Sequence, residues 1–213
     1  MNNWLYGDSW EKYPIEPGEI WRDSVSQSMV SVNDIRDGIP GFIQHVDLMY
    51  TDPPWNQGNV NSFITKAGLE RRVNSFEEFM WPLFDGIMKV IPEICYLEIG
   101  AQYFDEFVKR LSKIYPVVQQ WGITYYRRNP SFLIRGGFEP TDLDFAGMDD
   151  ADTPVYAIEH ESCNTVADIC MGRGLTGISA LKFKKQFFGC ELNKRRLAVF
   201  LEKSAKMGAR WEH

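Results

Sequence analysis

Asp52, Pro53, Pro54 and Trp55 follow directly on a short apolar run at residues 45–51. Two successive prolines fix φ and supply no backbone donors, so the turn they form is rigid and presents carbonyl oxygens. A carboxylate and a carbonyl together accept both hydrogens of an exocyclic amino group, and a tryptophan offers a stacking face for a base. The residues themselves leave two interpretations open: an amine-binding pocket, or a strand-ending proline turn with a core tryptophan.

A second pattern lies at residues 166–177, where an apolar strand leads into a glycine-rich turn and then a helix. Gly172 and Gly174 allow the backbone to approach a ligand closely, and the free N–H groups of the following helix favour a carboxylate or phosphate. Glu191 ends a further strand 17 residues after Gly174. A carboxylate at this spacing suits the ribose diol of a nucleotide in a doubly wound sheet, and a surface glutamate is the alternative.

The order of these two motifs resembles the circularly permuted, or β-class, DNA amino methyltransferases, which use S-adenosylmethionine. In that family D-P-P-[YW] comes first, and D-x-x-x-G-x-G-x-T, followed by a strand that ends in an acid, comes late. The resemblance covers roughly residues 46–203. Two features differ, because Ile169 and Cys170 stand where the family has Pro-Phe, and the family's Lys-Pro pair before the glycine loop is absent.

The resemblance implies that Asp52 and the Pro53 carbonyl orient a target amino group, with Trp55 stacked on an extruded base. It implies S-adenosylmethionine as the cofactor, held by Asp168, Cys170, Met171, Gly172, Gly174, Thr176, Glu191 and Asn193. The implied reaction is methyl transfer to adenine N6 in DNA. Cytosine N4, adenine in RNA, and a methyltransferase-like subunit that binds DNA or a partner without turnover are the alternatives.

Basic charge is concentrated in the last part of the chain, although the net charge is -6. Residues 171–213 carry ten Lys and Arg against three acids, which leaves 13 against 26 for residues 1–170. Lys182 and Lys185, together with Arg127 and Arg128, are the predicted nucleic-acid contacts. Solvated helix faces and an exposed strand end are the alternatives for these residues. Since no long insertion is present for reading a target sequence, we expect weak sequence specificity, a homodimer or a partner subunit.

Composition favours an ordinary globular protein, with 44% hydrophobic and 24% charged residues. No apolar stretch is long enough to cross a bilayer, so we expect a cytoplasmic protein of a prokaryote or a phage-infected cell. The four cysteines form no CxxC pair and only three histidines are present, so no metal site is expected.

Alternating strand and helix signals predict an α/β fold: a Rossmann-like, mixed but mainly parallel sheet with helices on both faces. Residues 1–40 are predicted to form a loop-rich arm. Residues 41–213 are predicted to form one methyltransferase domain, with a catalytic half at 41–160 and a cofactor-binding half at 161–213. The predicted strands are 45–51, 94–99, 117–126, 132–134, 155–158, 165–169 and 187–191. The predicted helices are 75–88, which begins with a capping box at Ser75, and 103–114, 176–184 and 194–206. The acidic segment 139–152 is predicted to be a mobile loop.

Overall fold

Five short apolar strands lie parallel in the middle of a nine-stranded sheet in the computed structural model, which describes residues 6–213. The strand order is β5-β6-β4-β3-β7-β8-β2-β1-β9, and the pairs β5-β6, β6-β4, β2-β1 and β1-β9 are antiparallel. The strands are β1 (Ile20–Asp23), β2 (Met29–Val32), β3 (Leu48–Thr51), β4 (Ile94–Ile99), β5 (Val117–Tyr125), β6 (Asn129–Gly137), β7 (Thr165–Asp168), β8 (Gln186–Glu191) and β9 (Trp211–Glu212).

Helices cover both faces of the sheet because successive strand residues point to opposite sides. In β3, Met49 packs into one apolar core with α2, α3 and α4, whereas Leu48 and Tyr50 pack into a second core with α5, α6 and α7. The helices are α1 (Ser9–Lys12), α2 (Gln57–Lys66), α3 (Glu77–Val90), α4 (Phe104–Leu111), α5 (Thr153–His160), α6 (Leu175–Lys182) and α7 (Lys194–Ala205). No helix within residues 6–213 is long and apolar enough to cross a bilayer.

The sheet has a topological switch point between β3 and β7. The chain leaves β3 through α2 and α3 to reach β4 on one side, and it leaves β7 through α6 to reach β8 on the other side. Ligands of open α/β sheets bind in the crevice at the carboxyl ends of the strands at such a point. The two sequence motifs follow β3 and β7, so the topology brings both to this crevice.

The prediction of a loop-rich arm at residues 1–40 is wrong for the part of it that the structure describes; residues 1–5 lie outside. β2 joins the sheet beside β8, because Val30 and Val32 bury their side chains in the core. β1 then pairs with β2 and also with β9. Outside this segment, α2 at residues 57–66 is a helix that no sequence pattern predicted.

The predicted strand at residues 155–158 is also wrong, because this segment is helical, in α5. Pro154 occupies the first turn of the helix, where its missing N–H costs nothing. Ala157 and Ile158 then pack on the sheet. A four-residue apolar run does not distinguish a strand from a buried helix turn.

Most other elements are confirmed within a few residues, and β4 has the predicted bounds. The capping box is absent, since the N-cap of α3 is Phe76 and makes no side-chain bond. The acidic segment 139–152 lacks regular structure, as predicted for a loop. Phe145 is nevertheless fully buried, and backbone bonds tie residues 147, 148 and 150 to β5, so the structure anchors the segment.

Candidate active site

Both sequence motifs line one cleft of about 750 Å³ at the carboxyl ends of the parallel strands. Asp52 follows the last residue of β3, Asp168 ends β7 and Glu191 ends β8. Asn33 and Asp34, which follow β2, line the cleft from the segment that was expected to be an arm. A cleft of this volume accommodates a nucleotide-sized ligand. The two turns, distant in sequence, therefore line the same cleft.

The proline turn positions a tryptophan beside a carboxylate. The Trp55 indole N–H donates to Asp52 Oδ1 over 2.9 Å, and its ring lies 4.7 Å from the ring of Tyr125, in an edge contact. Gly100 makes room for the indole, because a Cβ at this position would stand 2.8 Å from the ring. Trp55 is half-buried and lines the cleft, so the alternative of a core tryptophan is not supported.

Asp52 is exposed and lines the cleft, whose walls restrict the access of water to its carboxyl group. This desolvation raises the pKa of Asp52 to about 7. The nearby carboxylates Asp168 and Asp150 add to the rise, and the Trp55 hydrogen bond and the Arg196 charge oppose it. Asp52 therefore changes its protonation state near neutral pH, as a proton acceptor in catalysis requires.

The two glycines of the second motif have different surroundings. Gly172 lines the cleft in a left-handed conformation (φ 54°), and its N–H donates to Glu191 Oε2 over 2.7 Å. Gly174 is also left-handed (φ 78°), but it is not part of the cleft lining. A Cβ on Gly174 would stand 2.3 Å from the Phe200 ring. Gly174 thus permits close packing against α7, which corrects the expectation that it touches the ligand.

Glu191 closes the far side of the cleft with a carboxylate held by two backbone donors. Oε2 accepts from the Gly172 N–H, and Oε1 accepts from the Asn193 N–H over 3.0 Å. Burial raises the pKa of Glu191 to about 7, against the lowering effect of the Arg196 charge. Each oxygen retains a lone pair for a further donor.

Asn193 does not line the cleft. Its side-chain oxygen caps α7 by accepting from the Arg195 N–H over 3.0 Å, and its amide nitrogen donates to the Lys66 carbonyl. Asn193 therefore joins α7 to the end of α2, in place of the expected contact with the cofactor.

The remaining residues of the second motif, Asp168, Cys170, Met171 and Thr176, all line the cleft. Asp168 accepts from the Cys170 N–H over 3.0 Å, and the nearby Thr176 hydroxyl opposes the rise of its pKa. Its burial raises its pKa to about 6. The floor of the cleft thus carries three carboxyl groups, Asp52, Asp168 and Glu191, which favour a positively charged ligand.

The predicted nucleic-acid contacts separate into two places. Arg127 and Arg128 are exposed in the turn between β5 and β6, beside Tyr125 and Tyr126 of the cleft wall. Lys182 ends α6 at the amino ends of the parallel strands, opposite the cleft, so its position does not bring it to a nucleic acid bound at the cleft.

Lys185 also lies at the amino ends of the parallel strands, just before β8 begins. Its ammonium group donates to the Glu161 carbonyl and to Cys163 Sγ. The structure places neither lysine at the cleft, and a run of basic residues gives no information about which end of a helix faces the site.

Two charged residues of the cleft were not singled out from the sequence. Glu98 in β4 is 2% exposed and lines the cleft. A lone acid within the apolar strand ICYLEI was the available signal. Arg196, one of the ten basic residues of the last part of the chain, lines the cleft, and its Nε is buried without a hydrogen-bond partner among residues 6–213.

Comparison with known proteins gives structural likeness only. No family model matches the chain, and no curated protein matches it. Solved structures do match, and they show that the chain has the α/β fold found in DNA methyltransferases, as predicted for the fold class.

Among these structures is TTHA0409, a candidate DNA modification methylase from Thermus thermophilus. It has a TM-score of 0.58 and 16% identity, and the match covers 84% of this chain and 94% of that chain. M1.HpyAVI has a TM-score of 0.54 and 15% identity, with 82% and 97% covered. The cytosine-N4-specific PvuII DNA methyltransferase has a TM-score of 0.53 and 11% identity, with 84% and 90% covered.

Proposed function

We propose that this protein is an S-adenosylmethionine-dependent DNA methyltransferase that methylates the exocyclic amino group of adenine at N6. The observation that carries the proposal is the convergence of the Asp52–Trp55 turn and the Gly172 turn on one cleft at the switch point of the sheet. The fold supports it, since TTHA0409 and M1.HpyAVI share this fold and were both also solved with S-adenosylmethionine.

The residues of the cleft fit this cofactor. Glu191 has lone pairs free for the ribose hydroxyls, and Gly172 leaves open space above the turn, where the nearest atom to a Cβ would be Arg196 Nη1 at 3.9 Å. The carboxyl groups of Asp52 and Asp168 favour a cationic sulfur. The buried Nε of Arg196 has no hydrogen-bond partner among the described residues and can donate to an acceptor atom of a ligand.

When bound, the cofactor supplies an electrophilic methyl group on a positively charged sulfur. Asp52 Oδ2 and the Pro53 carbonyl would accept the two amino hydrogens and so hold the nitrogen with its lone pair free to react. Trp55 provides the aromatic surface for the base. After transfer the nitrogen carries one proton too many, and Asp52, with its pKa of about 7, accepts it.

DNA is the proposed partner, and the turn between β5 and β6 is the proposed contact. Arg127 and Arg128 are exposed beside the cleft and suit phosphate groups. Extrusion of the base costs a few kcal/mol, which such contacts offset. A homodimer or a partner subunit is proposed to add target recognition.

Cytosine N4 is the second candidate target, favoured by the likeness to the cytosine-N4-specific PvuII enzyme. Mass spectrometry of nucleosides from DNA of cells that express the protein separates the two. Detection of N6-methyladenine supports the proposal. Detection of N4-methylcytosine alone would assign cytosine, and not adenine, as the target base. Methylated adenosine found only in RNA would assign RNA as the substrate.

Calorimetry combined with a transfer assay tests the site itself. Asp52→Ala is expected to lower methyl transfer at least about 100-fold, because the acceptor of the amino hydrogens is lost, while the cofactor still binds. Asp85→Ala, on the exposed face of α3, is the matched control and should change neither quantity. Cofactor binding by the wild-type protein without transfer to any nucleic acid would favour the non-catalytic subunit instead.

A further inference from the structure

Glu98 stands beside Asp52 in the sheet. β3 and β4 are parallel neighbours, and their last paired residues are Thr51 and Leu97. The residues that follow are Asp52, just beyond the end of β3, and Glu98, still within β4, so the two backbones run about 5 Å apart. Both side chains point to the same face as Tyr50 and Tyr96 and line the same cleft.

The Glu98 side chain uses only one of its oxygens within the protein. Oε1 accepts from the Tyr50 hydroxyl and, over 2.9 Å, from the Thr153 hydroxyl. Oε2 has no hydrogen-bond partner within residues 6–213, and Glu98 is in none of the ion pairs there. An almost fully buried carboxyl group thus directs one unpartnered oxygen towards the cleft.

The surroundings of Glu98 favour the protonated, uncharged form of its carboxyl group. Burial raises its pKa well above the ordinary value, and the neighbouring carboxyl groups of Asp52 and Asp150 raise it further. The hydroxyls of Tyr50 and Thr153 oppose this rise without supplying a positive charge. Oε1 already lies within hydrogen-bond distance of both hydroxyls, which also lie 2.6 Å from each other. An acid proton carried on Oε2 would face the cleft as a donor.

We propose that Glu98 donates a hydrogen bond from Oε2 to the ring nitrogen adjacent to the amino group that Asp52 accepts, and so determines which bases enter the site. This inference rests on the proposed methyltransferase function. An acceptor at Asp52 and a donor at Glu98 form a pair that reads the Watson–Crick edge of an extruded base.

This pair selects a chemical class of base. Adenine and cytosine each present an amino group beside an acceptor nitrogen, N1 in adenine and N3 in cytosine. Guanine presents a ring N–H donor beside its amino group, and thymine presents a ring N–H beside a carbonyl. Both would set donor against donor or acceptor against acceptor, which leaves buried polar groups unpaired. Glu98 thereby admits the two amino bases and rejects the other two.

The test compares adenine with 1-deazaadenine, which lacks the ring acceptor, in otherwise identical random-sequence oligonucleotides. For the wild-type protein we expect kcat/KM for methyl transfer to fall about 10- to 100-fold on the analogue, as for loss of a buried hydrogen bond. Glu98→Gln should act on adenine within about threefold of wild type, because its amide N–H replaces the acid proton and its oxygen still accepts. If the target is cytosine, 3-deazacytosine takes the place of the analogue.

Glu98→Ala should lose about 10- to 100-fold on adenine and little more on 1-deazaadenine, since the interaction is already absent. Equal wild-type rates on the two oligonucleotides would overturn the inference while leaving the methyltransferase intact. Loss of transfer in Glu98→Gln, with cofactor binding retained, would equally overturn it by showing that an ionised carboxylate is required. If the wild-type protein transfers nothing to either oligonucleotide, the proposed function fails first, and this inference with it.

Discussion

Gly172→Ala and Gly174→Ala change the same turn at positions two residues apart and should have different main effects. We expect the first to lower cofactor affinity and the second to lower stability. Both glycines have positive φ angles, 54° and 78°, which cost an L-residue about 1–2 kcal/mol. Only at Gly174 does the new methyl group collide with the protein, 2.3 Å from the Phe200 ring. Phe200 is fully buried and cannot move aside without disturbing the core.

The expected loss of stability follows from these two contributions. Overpacking a core costs about 1–3 kcal/mol, so Gly174→Ala should lower the free energy of unfolding by about 2–5 kcal/mol. Gly172→Ala should lower it by only about 1–2 kcal/mol, since its methyl group enters open space. For a chain of 213 residues these changes correspond to Tm losses of about 4–20 °C and about 2–8 °C.

Urea denaturation followed by circular dichroism measures the stabilities, and calorimetry measures S-adenosylmethionine affinity. Gly172→Ala should lower the affinity for S-adenosylmethionine, because the alanine methyl group would occupy the surface of the cleft. Gly174→Ala should keep cofactor affinity at temperatures where it is folded. Gly208→Ala is the control for backbone strain, since Gly208 has φ 104° and no atom within 4 Å of a Cβ.

Equal destabilisation by Gly174→Ala and Gly208→Ala would refute the packing role of Gly174. Unchanged cofactor affinity in Gly172→Ala would refute the placement of the ligand on this turn, whatever the stabilities show.

Two further predictions concern pH and salt. Burial raises the folded-state pKa of Glu191 from about 4.5 to about 7, so this group makes the ligand-free protein about 3 kcal/mol less stable as pH rises through this range. Urea denaturation at pH 5 and pH 7.5 should show a smaller loss in Glu191→Gln, and equal losses would contradict the assignment. Arg127→Ala should reduce the slope of log affinity for DNA against log salt by about 1, whereas Lys182→Ala should leave the slope unchanged. A reduced slope in Lys182→Ala would contradict the placement of Lys182 at the amino ends of the strands, opposite the cleft.

Local sequence patterns were sufficient to predict the structure of segments whose conformation depends on their own residues. The apolar run at 94–99 forms β4, and the acid, prolines and tryptophan at 52–55 form a rigid turn after a strand. The same holds for Asp168 and Gly172, whose position after β7 follows from an apolar strand that runs into glycines.

Local sequence patterns did not predict the structure of segments whose conformation depends on contacts with distant parts of the chain. β2 forms because β8 offers it a parallel partner 159 residues away in sequence, counted from Met29 to Phe188. α5 is helical because its apolar residues find a core on the sheet face, which a four-residue run cannot reveal. The roles of Gly174 and Asn193 also depended on tertiary partners, Phe200 and the Lys66 carbonyl.

The amino-acid sequence by itself determined the alternation of strands and helices and the identity of the two turns that carry chemistry, because these depend on neighbours along the chain. Only the tertiary structure decided that the turns share one cleft, that Glu98 lies beside Asp52, and that Lys182 points away. The reason is that strand order and register arise from long-range pairing.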